Sequence, residues 1–412
     1  MLMTICAGSP HGSTVEGRRP ERVPPAATLA RMRVLASPAS TAPNANPFIA
    51  LLNGELRARG LVIEQFSRRA LLSRPDIVHV HWPEQLVRTD RARNLLADAA
   101  THLVLIAVAR RRGSAVIWTA HNLQPHEREH PRLMGAFLAL FAVLVDVVIP
   151  LTAGSRAPLI ARYGGLKRTP FVVVPHGHYR DAYPPARDRE GSRRRLGLEP
   201  SRRTLLTLGA IRRYKNVAQL VRAFVDHQAA DAQLAIVGSV SEGLRHEIEA
   251  ARRGDDRVHL HPSAVSPEEV SSWHAAADVV VLAYDTTSSL NSGAALLALS
   301  LDRPVVMPDG PSARELRKHV GEEWVKPVSG SVNDFLTAAL SLSAPAGPRP
   351  LLDQLGWDEV AQKTIGAYEL AIRGKHRRLG RRKRQSQNME TQARARRASR
   401  FGARLRGRGD RS

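Results

Sequence analysis

The chain has 412 residues, of which 43% are hydrophobic and 5% aromatic, and its formal net charge is +23. This length and composition predict a globular protein with two domains of ordinary size. The single cysteine, Cys6, excludes a disulfide framework and a cysteine-based metal site, and so favours a reducing cytosol.

The two ends of the chain differ from the rest. Residues 1–31 are rich in Gly, Pro, Ser and Arg without periodicity, and they predict a disordered leader without a secretory signal pattern. Residues 375–412 hold 15 Lys/Arg against two Asp/Glu, a net charge of +13. We therefore expect a disordered basic tail over 374–412. Its composition fits binding to an anionic membrane surface or nucleic acid, and equally a solvated tail.

Strand and helix patterns alternate through the first half of the chain. Apolar strand patterns lie at 33–39, 61–66, 76–82, 114–121, 146–152 and 171–177, with helical patterns at 48–59, 92–112 and 133–145. The apolar stretch 133–151 has nearly the length of a membrane span. Asp146 and Pro150 interrupt it, which favours a buried helix followed by a strand.

The second half repeats this alternation. Strand patterns lie at 205–211, 233–238, 258–261, 279–284 and 304–308, with helical patterns at 218–224, 242–252, 267–276, 293–301 and 312–319. Together the halves predict an α/β fold of two doubly wound parallel-sheet, Rossmann-like domains. We expect domains at 32–185 and 203–349, a linker at 186–202, and a C-terminal helix at 350–373 that packs back on the first domain.

Polar residues that follow strands are the site candidates, because ligands of this architecture bind at the carboxyl ends of the strands. In the first half they are His121, Glu127 and Glu84 as catalytic candidates, and Asn44, Asn46 and His81 as acceptor-binding candidates. His79 and His81 share a strand face, an arrangement that suits metal ligation. No further ligands at a recognisable metal spacing accompany them, so we predict no metal site.

In the second half, Arg212 and Lys215 follow a strand and precede a helix, where two cations can clamp a diphosphate. The stretch 284–306 begins with small polar residues and leads through Asn291, Ser292 and Gly293 into an apolar helix. A helix N-terminus offers unpaired N–H groups and the positive end of the helix dipole, which suits a phosphate. We expect the two features to face each other across the strand ends.

The segment LGAIRRYKNVAQLVRAF resembles the donor-binding segment of GT-B glycosyltransferases. Gly238 after LAIV, DVVVLAY ending at Tyr284, and the later SLDRPVV are similar to the nucleotide-sugar domain of that fold. In the first half, NPF, HVHWPE and TAHNLQPHE resemble bacterial exopolysaccharide glycosyltransferases, among them the GDP-mannose:glycolipid β-mannosyltransferases. The resemblance covers about residues 32–373.

This resemblance implies transfer of a sugar from a nucleotide diphosphate donor, GDP-mannose or a UDP-sugar, to a lipid-linked or saccharide acceptor, with no metal or other cofactor. From the cysteine usage and the basic tail we expect a cytoplasmic location, peripheral at the inner face of the cell membrane. The implied donor-binding residues are Arg212, Lys215, Gly238, Tyr284, Asn291, Ser292 and Gly293.

One feature departs from this resemblance. Many retaining members of the superfamily carry two glutamates where this chain has Ser289 and Leu297, and their absence leaves inversion plausible. Two alternatives stay open: a nucleotide-sugar epimerase or sugar phosphorylase on the same fold, and a non-catalytic protein that binds nucleic acid or membrane.

Overall fold

The computed structural model describes residues 32–39, 46–125, 129–284, 290–343, 345, 347 and 349–375. The strands are β1 Arg33–Ser37, β2 Val62–Gln65, β3 Ile77–Val80, β4 Ala115–Ala120, β5 Val147–Pro150, β6 Arg203–Leu208, β7 Ala232–Val237, β8 Val258–His261, β9 Val279–Val281, β10 Val305–Pro308 and β11 Val325–Val328. The helices are α1 Pro47–Ala58, α2 Arg68–Leu71, α3 Ala92–Arg112, α4 Pro131–Leu144, α5 Arg156–Arg162, α6 Arg189–Leu196, α7 Val217–His227, α8 Glu242–Arg252, α9 Pro267–Ala276, α10 Gly293–Ser300, α11 Pro311–Val320, α12 Val332–Ser341 and α13, residues 357–375.

The first sheet is parallel, with the strand order β2-β1-β3-β4-β5. Its central strands are buried along their whole length, as apolar strands covered on both faces by helices must be. Helices α3 and α4 pack on one face, and α1 and α13 pack on the other. Because all strands run the same way, their carboxyl ends meet at one edge, where the predicted site residues of this half follow β3 and β4.

The second sheet is also parallel, with the order β11-β10-β9-β6-β7-β8. The order reverses around β6 and β9, whose carboxyl ends lead to the Arg212 loop and to Tyr284. The sequence patterns did not predict β11 or α12. Lys326 and Pro327 lie inside β11 and interrupt the apolar run that would have indicated a strand. The prediction of two doubly wound α/β units is confirmed.

The prediction of a strand at 171–177 is wrong. Phe171 forms only an isolated bridge with Val148, although Val172 and Val174 still donate hydrogen bonds to the β5 carbonyls of Val148 and Pro150. Pro150 has no amide hydrogen with which to return a bond to this segment, so the ladder is interrupted. The segment therefore runs extended along the edge of β5 without becoming a sixth strand.

The region expected to be a linker, 186–202, contains a helix, α6. Arg193 of α6 is almost fully buried and pairs with Asp278, which immediately precedes β9. The Asp278 carboxylate also accepts a hydrogen bond from the backbone N–H of Thr204 in β6. A buried guanidinium held by a carboxylate in this way ties α6 to the second sheet.

Among the described residues, α3 is long and apolar enough to cross a membrane by its length and composition, and α4 is a shorter apolar helix. Both pack on the first sheet. In α3, Asp98 is buried and pairs with Arg68 and Arg88. Gly113, with φ of 114°, ends α3 in a left-handed conformation that favours glycine. The stretch 133–151 forms the predicted helix and strand, α4 and β5.

Candidate active site

Two histidines meet at the carboxyl edge of the first sheet. His81 follows β3 and His121 follows β4, and these strands are neighbours in the sheet. The Nδ1 atom of His81 lies 3.2 Å from the Nε2 atom of His121. Trp82 stacks on His121 with ring centroids 4.2 Å apart, and Phe48 from α1 meets the His121 ring edge-on. Parallel pairing thus brings together two side chains that are 40 residues apart in sequence.

Both imidazoles are neutral at pH 7. Burial lowers the pKa of His81 well below its ordinary value, and the nearby His79 and His121 lower it further. Burial also lowers the pKa of His121, with His176 and His79 contributing. The Nε2 atom of His81 is buried and has no hydrogen-bond partner among the described residues. A buried polar atom in this state is costly, and a ligand group would satisfy it.

Glu84 shares a small cavity with these histidines. The cavity has a volume of about 10 Å³, which is room for about one water molecule, and it is also lined by Trp118 and Tyr163. Burial raises the pKa of Glu84 to about 7, because its charged form is poorly solvated there. The carboxyl therefore exchanges its proton in the pH range where an acid–base group works best.

His79, by contrast, has a structural role beside the site. Its Nδ1 atom lies 2.8 Å from the hydroxyl of Tyr368 in α13, and its Nε2 atom lies 2.7 Å from Oγ1 of Thr119. Both ring nitrogens are thus engaged within the protein. Among the described residues, no three His, Cys, Asp or Glu side chains are grouped so that they could hold a metal ion.

On the second half, the loop after β6 carries the predicted cations. Burial, together with the nearby charge of Arg212, lowers the pKa of Lys215 to about 8, so the two cations lie close together. The Lys215 ammonium lies 3.6 Å from where a β-carbon on Gly209 would be. Asn216 follows with φ of 53° and donates a side-chain hydrogen bond to the carbonyl of Ala283. This contact ties the cationic loop to the segment after β9.

The segment after β9 leads to the start of α10. The hydroxyl of Tyr284 donates a hydrogen bond to Oγ of Ser292. The same oxygen accepts a hydrogen bond of 3.1 Å from the N–H of Ala295, so Ser292 is the N-cap of α10. Rings of Tyr214 and Tyr284 lie 6.4 Å apart. The cationic loop and the α10 start, predicted separately, are therefore joined through Tyr284.

Gly238 needs no ligand to explain its presence. Its φ is 143°, and a β-carbon there would lie 2.1 Å from the carbonyl oxygen of Gly209. Such a close approach of two backbones accepts only glycine. It holds the loops after β6 and β7 together, and so supports the position of the Lys215 loop.

His176 connects the two halves, and the sequence patterns did not single it out. It follows the extended segment 171–175, its Nε2 atom lies 3.2 Å from the Tyr179 hydroxyl, and Phe48 packs against its ring at 4.6 Å. Both His176 and Tyr179 lie 3.7 Å from where a β-carbon on Gly293 would be. The histidine cluster of the first half thus reaches the first residue of α10.

The family model described as "Glycosyl transferases group 1" matches residues 202–344. A GDP-mannose:glycolipid 4-beta-D-mannosyltransferase from Xanthomonas campestris pv. campestris is 33% identical over 353 residues. The match spans 84% of this chain and 95% of that protein. The chain belongs to the group 1 glycosyltransferases.

Solved structures show the fold of this glycosyltransferase to be GT-B. Anabaena HepE in complex with UDP and glucose and the sucrose-phosphate synthase from Thermosynechococcus elongatus each give a TM-score of 0.55. They are 13% and 14% identical and cover 85% of this chain and 98% of their own. The predicted fold and enzyme class are confirmed, and the epimerase, phosphorylase and non-catalytic alternatives are set aside.

Several predicted site residues of this glycosyltransferase stay predictions. Asn44 and Glu127 lie outside the described residues, as does Ser289. Asn46 is exposed, and its side chain caps α1 by accepting a hydrogen bond from the N–H of Phe48. Leu297 is half-buried and packs against the apolar core of the second half.

Proposed function

We propose that this glycosyltransferase moves a sugar from a nucleotide diphosphate donor to a lipid-linked acceptor, with Glu84 as the general base. The observation that carries the proposal is the cavity in which Glu84 lies beside His81 and His121. A carboxyl with a pKa of about 7 can take the proton from an acceptor hydroxyl at neutral pH. The buried Nε2 atom of His81 would hydrogen-bond another hydroxyl of the acceptor.

The donor would lie against the second half. As the acceptor oxygen bonds to the anomeric carbon, the bond from that carbon to the donor phosphate breaks, and the diphosphate leaves with the electron pair. Lys215 and Arg212 would stabilise its charge together with the N–H groups at the start of α10. These fixed positive groups support a metal-independent reaction, which is part of the proposal.

A single displacement with inversion fits this arrangement best. The base lies on the first half, whereas the cations that would receive the leaving group lie on the second. A base and a leaving group on opposite sides of the sugar suit direct attack by the acceptor. Leu297, at the position of one superfamily glutamate, offers no carboxylate to the sugar.

The mannosyltransferase relative, rather than the geometry, supports the proposed donor and acceptor. Its name specifies GDP-mannose and a glycolipid, and its match extends over both halves of this chain. We therefore propose GDP-mannose as donor and a glycolipid as acceptor. We also propose that the enzyme works in the cytoplasm at the inner face of the cell membrane, which the net charge of +13 in residues 375–412 supports.

The test uses the purified full chain with GDP-mannose, UDP-glucose and ADP-glucose, each with and without an extracted glycolipid acceptor. We expect GDP-mannose to be consumed only with acceptor, in EDTA as well as without it, and NMR to show an inverted anomeric linkage. Donor conversion without acceptor, or a retained linkage, would contradict the proposal.

A matched pair of arginine variants tests the diphosphate site. We expect Arg212→Ala to raise the donor KM by about tenfold or more, because a charge-assisted contact is lost. Arg213 is the adjacent residue; both arginines are exposed, but Arg213 pairs with Glu247 on the surface. Arg213→Ala should therefore stay within about twofold of the parent. Equal effects of the two substitutions would remove Arg212 from the donor site.

A further inference from the structure

The outward sides of α3 and α4 are apolar. In α3, the exposed side chains between Arg93 and Arg111 carry no charge; they are Leu96, Ala97, Ala100 and Val104. After Arg132, the exposed side chains of α4 are likewise uncharged; they are Ala136, Ala139, Leu140 and Val143. The four large side chains of this set are exposed to 53% (Leu96), 61% (Val104), 58% (Leu140) and 59% (Val143).

The core of the first half does not explain this surface. Both helices already bury a separate set of side chains against the sheet, among them Ile106 of α3 and Phe137 and Phe141 of α4. A helix on a protein surface ordinarily turns charged and polar side chains to water. The two helices also pack side by side on the same sheet face, which places their outer apolar stripes next to each other.

Basic groups lie at both ends of this α3–α4 surface and beside it. Arg93 and Arg132 lie in the first turns of α3 and α4, and Arg111 lies in the last turn of α3. All three are exposed. Arg168 and Arg373 line an open pocket beside Val143. The basic tail also starts here: the Lys375 side chain lies 3.2 Å from where a β-carbon on Gly113 would be, directly after α3.

We infer that the α3–α4 surface docks on an anionic phospholipid bilayer, with Leu96, Val104, Leu140 and Val143 in the interfacial layer. Anionic headgroups would neutralise the arginine rim and the tail while the acyl boundary receives the apolar side chains. A second copy of the chain would instead bring the same arginines together. Leu138 of α4 lines the Glu84 cavity, so the docked face lies next to the proposed acceptor site.

Vesicle binding tests this surface without substrate, so its outcome is separate from that of the transfer assay. The full chain is floated with vesicles of phosphatidylcholine containing 30% phosphatidylglycerol, at 0.1 M and 0.5 M NaCl. The test variant carries Leu96→Ser, Val104→Ser, Leu140→Ser and Val143→Ser. The control carries Val62→Ser and Leu351→Ser, which are also exposed apolar residues but lie elsewhere.

We expect the fourfold variant to lose about tenfold or more in vesicle partitioning at both salt concentrations, with the control within about twofold of the parent. At 0.5 M NaCl the Debye length is about 4 Å, so the tail contributes little and the apolar contribution dominates. Partitioning of the fourfold variant equal to that of the parent would overturn the inference. So would a parent dimer that the fourfold variant converts to monomer with unchanged vesicle binding.

A second measurement applies even if the fourfold variant folds poorly. Cys6 is the only cysteine, so Cys6→Ser with Leu140→Cys places one environment-sensitive fluorophore on the surface. We expect a blue shift on phosphatidylglycerol vesicles and none for the same label at Leu351→Cys. Identical responses of the two labels would contradict docking through α3 and α4.

Discussion

The two sides of the candidate active site differ in charge: one is largely neutral and the other is cationic. On the first half, His81 and His121 are buried and neutral, and Glu84 titrates near neutral pH. On the second half, Lys215 and Arg212 lie close together, and the charge of Arg212 helps to lower the pKa of Lys215. The first arrangement suits the movement of a proton, and the second suits an incoming anion. The chemistry is thus divided between the halves.

The pKa values of Glu84 and Lys215 together predict a bell-shaped pH dependence of kcat/KM. Activity should rise with pH as Glu84 loses its proton near pH 7, because the base must be ionised. It should fall again as Lys215 loses its proton near pH 8, because the diphosphate then loses a positive partner. Substitution of Glu84 should remove the acidic limb of this profile, and substitution of Lys215 should remove or shift the alkaline limb.

The largest effect is expected from Glu84→Gln. Without a general base, kcat should fall by roughly 10²- to 10⁴-fold, and the acidic limb of the pH profile should disappear. Thermal unfolding supplies an independent reading. Burial raises the pKa of Glu84 from 4.5 to about 7, so the folded protein keeps a proton that the unfolded chain releases.

The stability of the parent should accordingly fall as pH rises from 4.5 to 7. Glu84→Gln should remove that dependence and raise the free energy of unfolding at pH 8 by about 1–3 kcal/mol. Glu247→Gln, at an exposed position, is the control for both measurements. Retained activity in Glu84→Gln would place the base elsewhere, with Glu127 the next candidate.

Lys215 gives the second largest effect. Lys215→Ala should reduce kcat/KM for the donor by about 10²-fold, because a partly desolvated charge-assisted contact to the diphosphate is lost. Lys215→Arg should keep more activity and move the alkaline limb upward, since a guanidinium does not deprotonate in this range. Lys167→Ala, on the surface of the first half, should change neither limb.

The sequence predicts this division only in part. Strand periodicity located β3, β4, β6 and β9, and the polar residues that follow them were identifiable because parallel strands end at one edge. His176 was not identifiable, since it follows an irregular segment and meets Gly293 only through folding of the whole chain. The roles of Phe48 and Trp82 likewise depend on ring contacts that no periodicity encodes.

Gly238 provides a test of stability on the donor side. Gly238→Ala should lower the free energy of unfolding by about 2–4 kcal/mol, because its methyl group would overlap the Gly209 carbonyl. Gly243 lies in the first turn of α8 with open space around it, so Gly243→Ala should raise stability by about 0.5–1 kcal/mol. Urea unfolding measures both. A tolerated Gly238→Ala would leave ligand contact as the reason for that glycine.

The smallest effect is expected from the cap of α10. Ser292→Ala removes the oxygen that accepts from Ala295 and from Tyr284, which should cost about 1 kcal/mol in the free energy of unfolding. Tyr284→Phe leaves the cap bond in place and should cost less. If the N–H groups of α10 bind the diphosphate, loosening this turn in Ser292→Ala should also raise the donor KM a few-fold. A changed stability with an unchanged donor KM would mean that α10 is capped for folding alone, and that the cations of the Lys215 loop hold the donor without it.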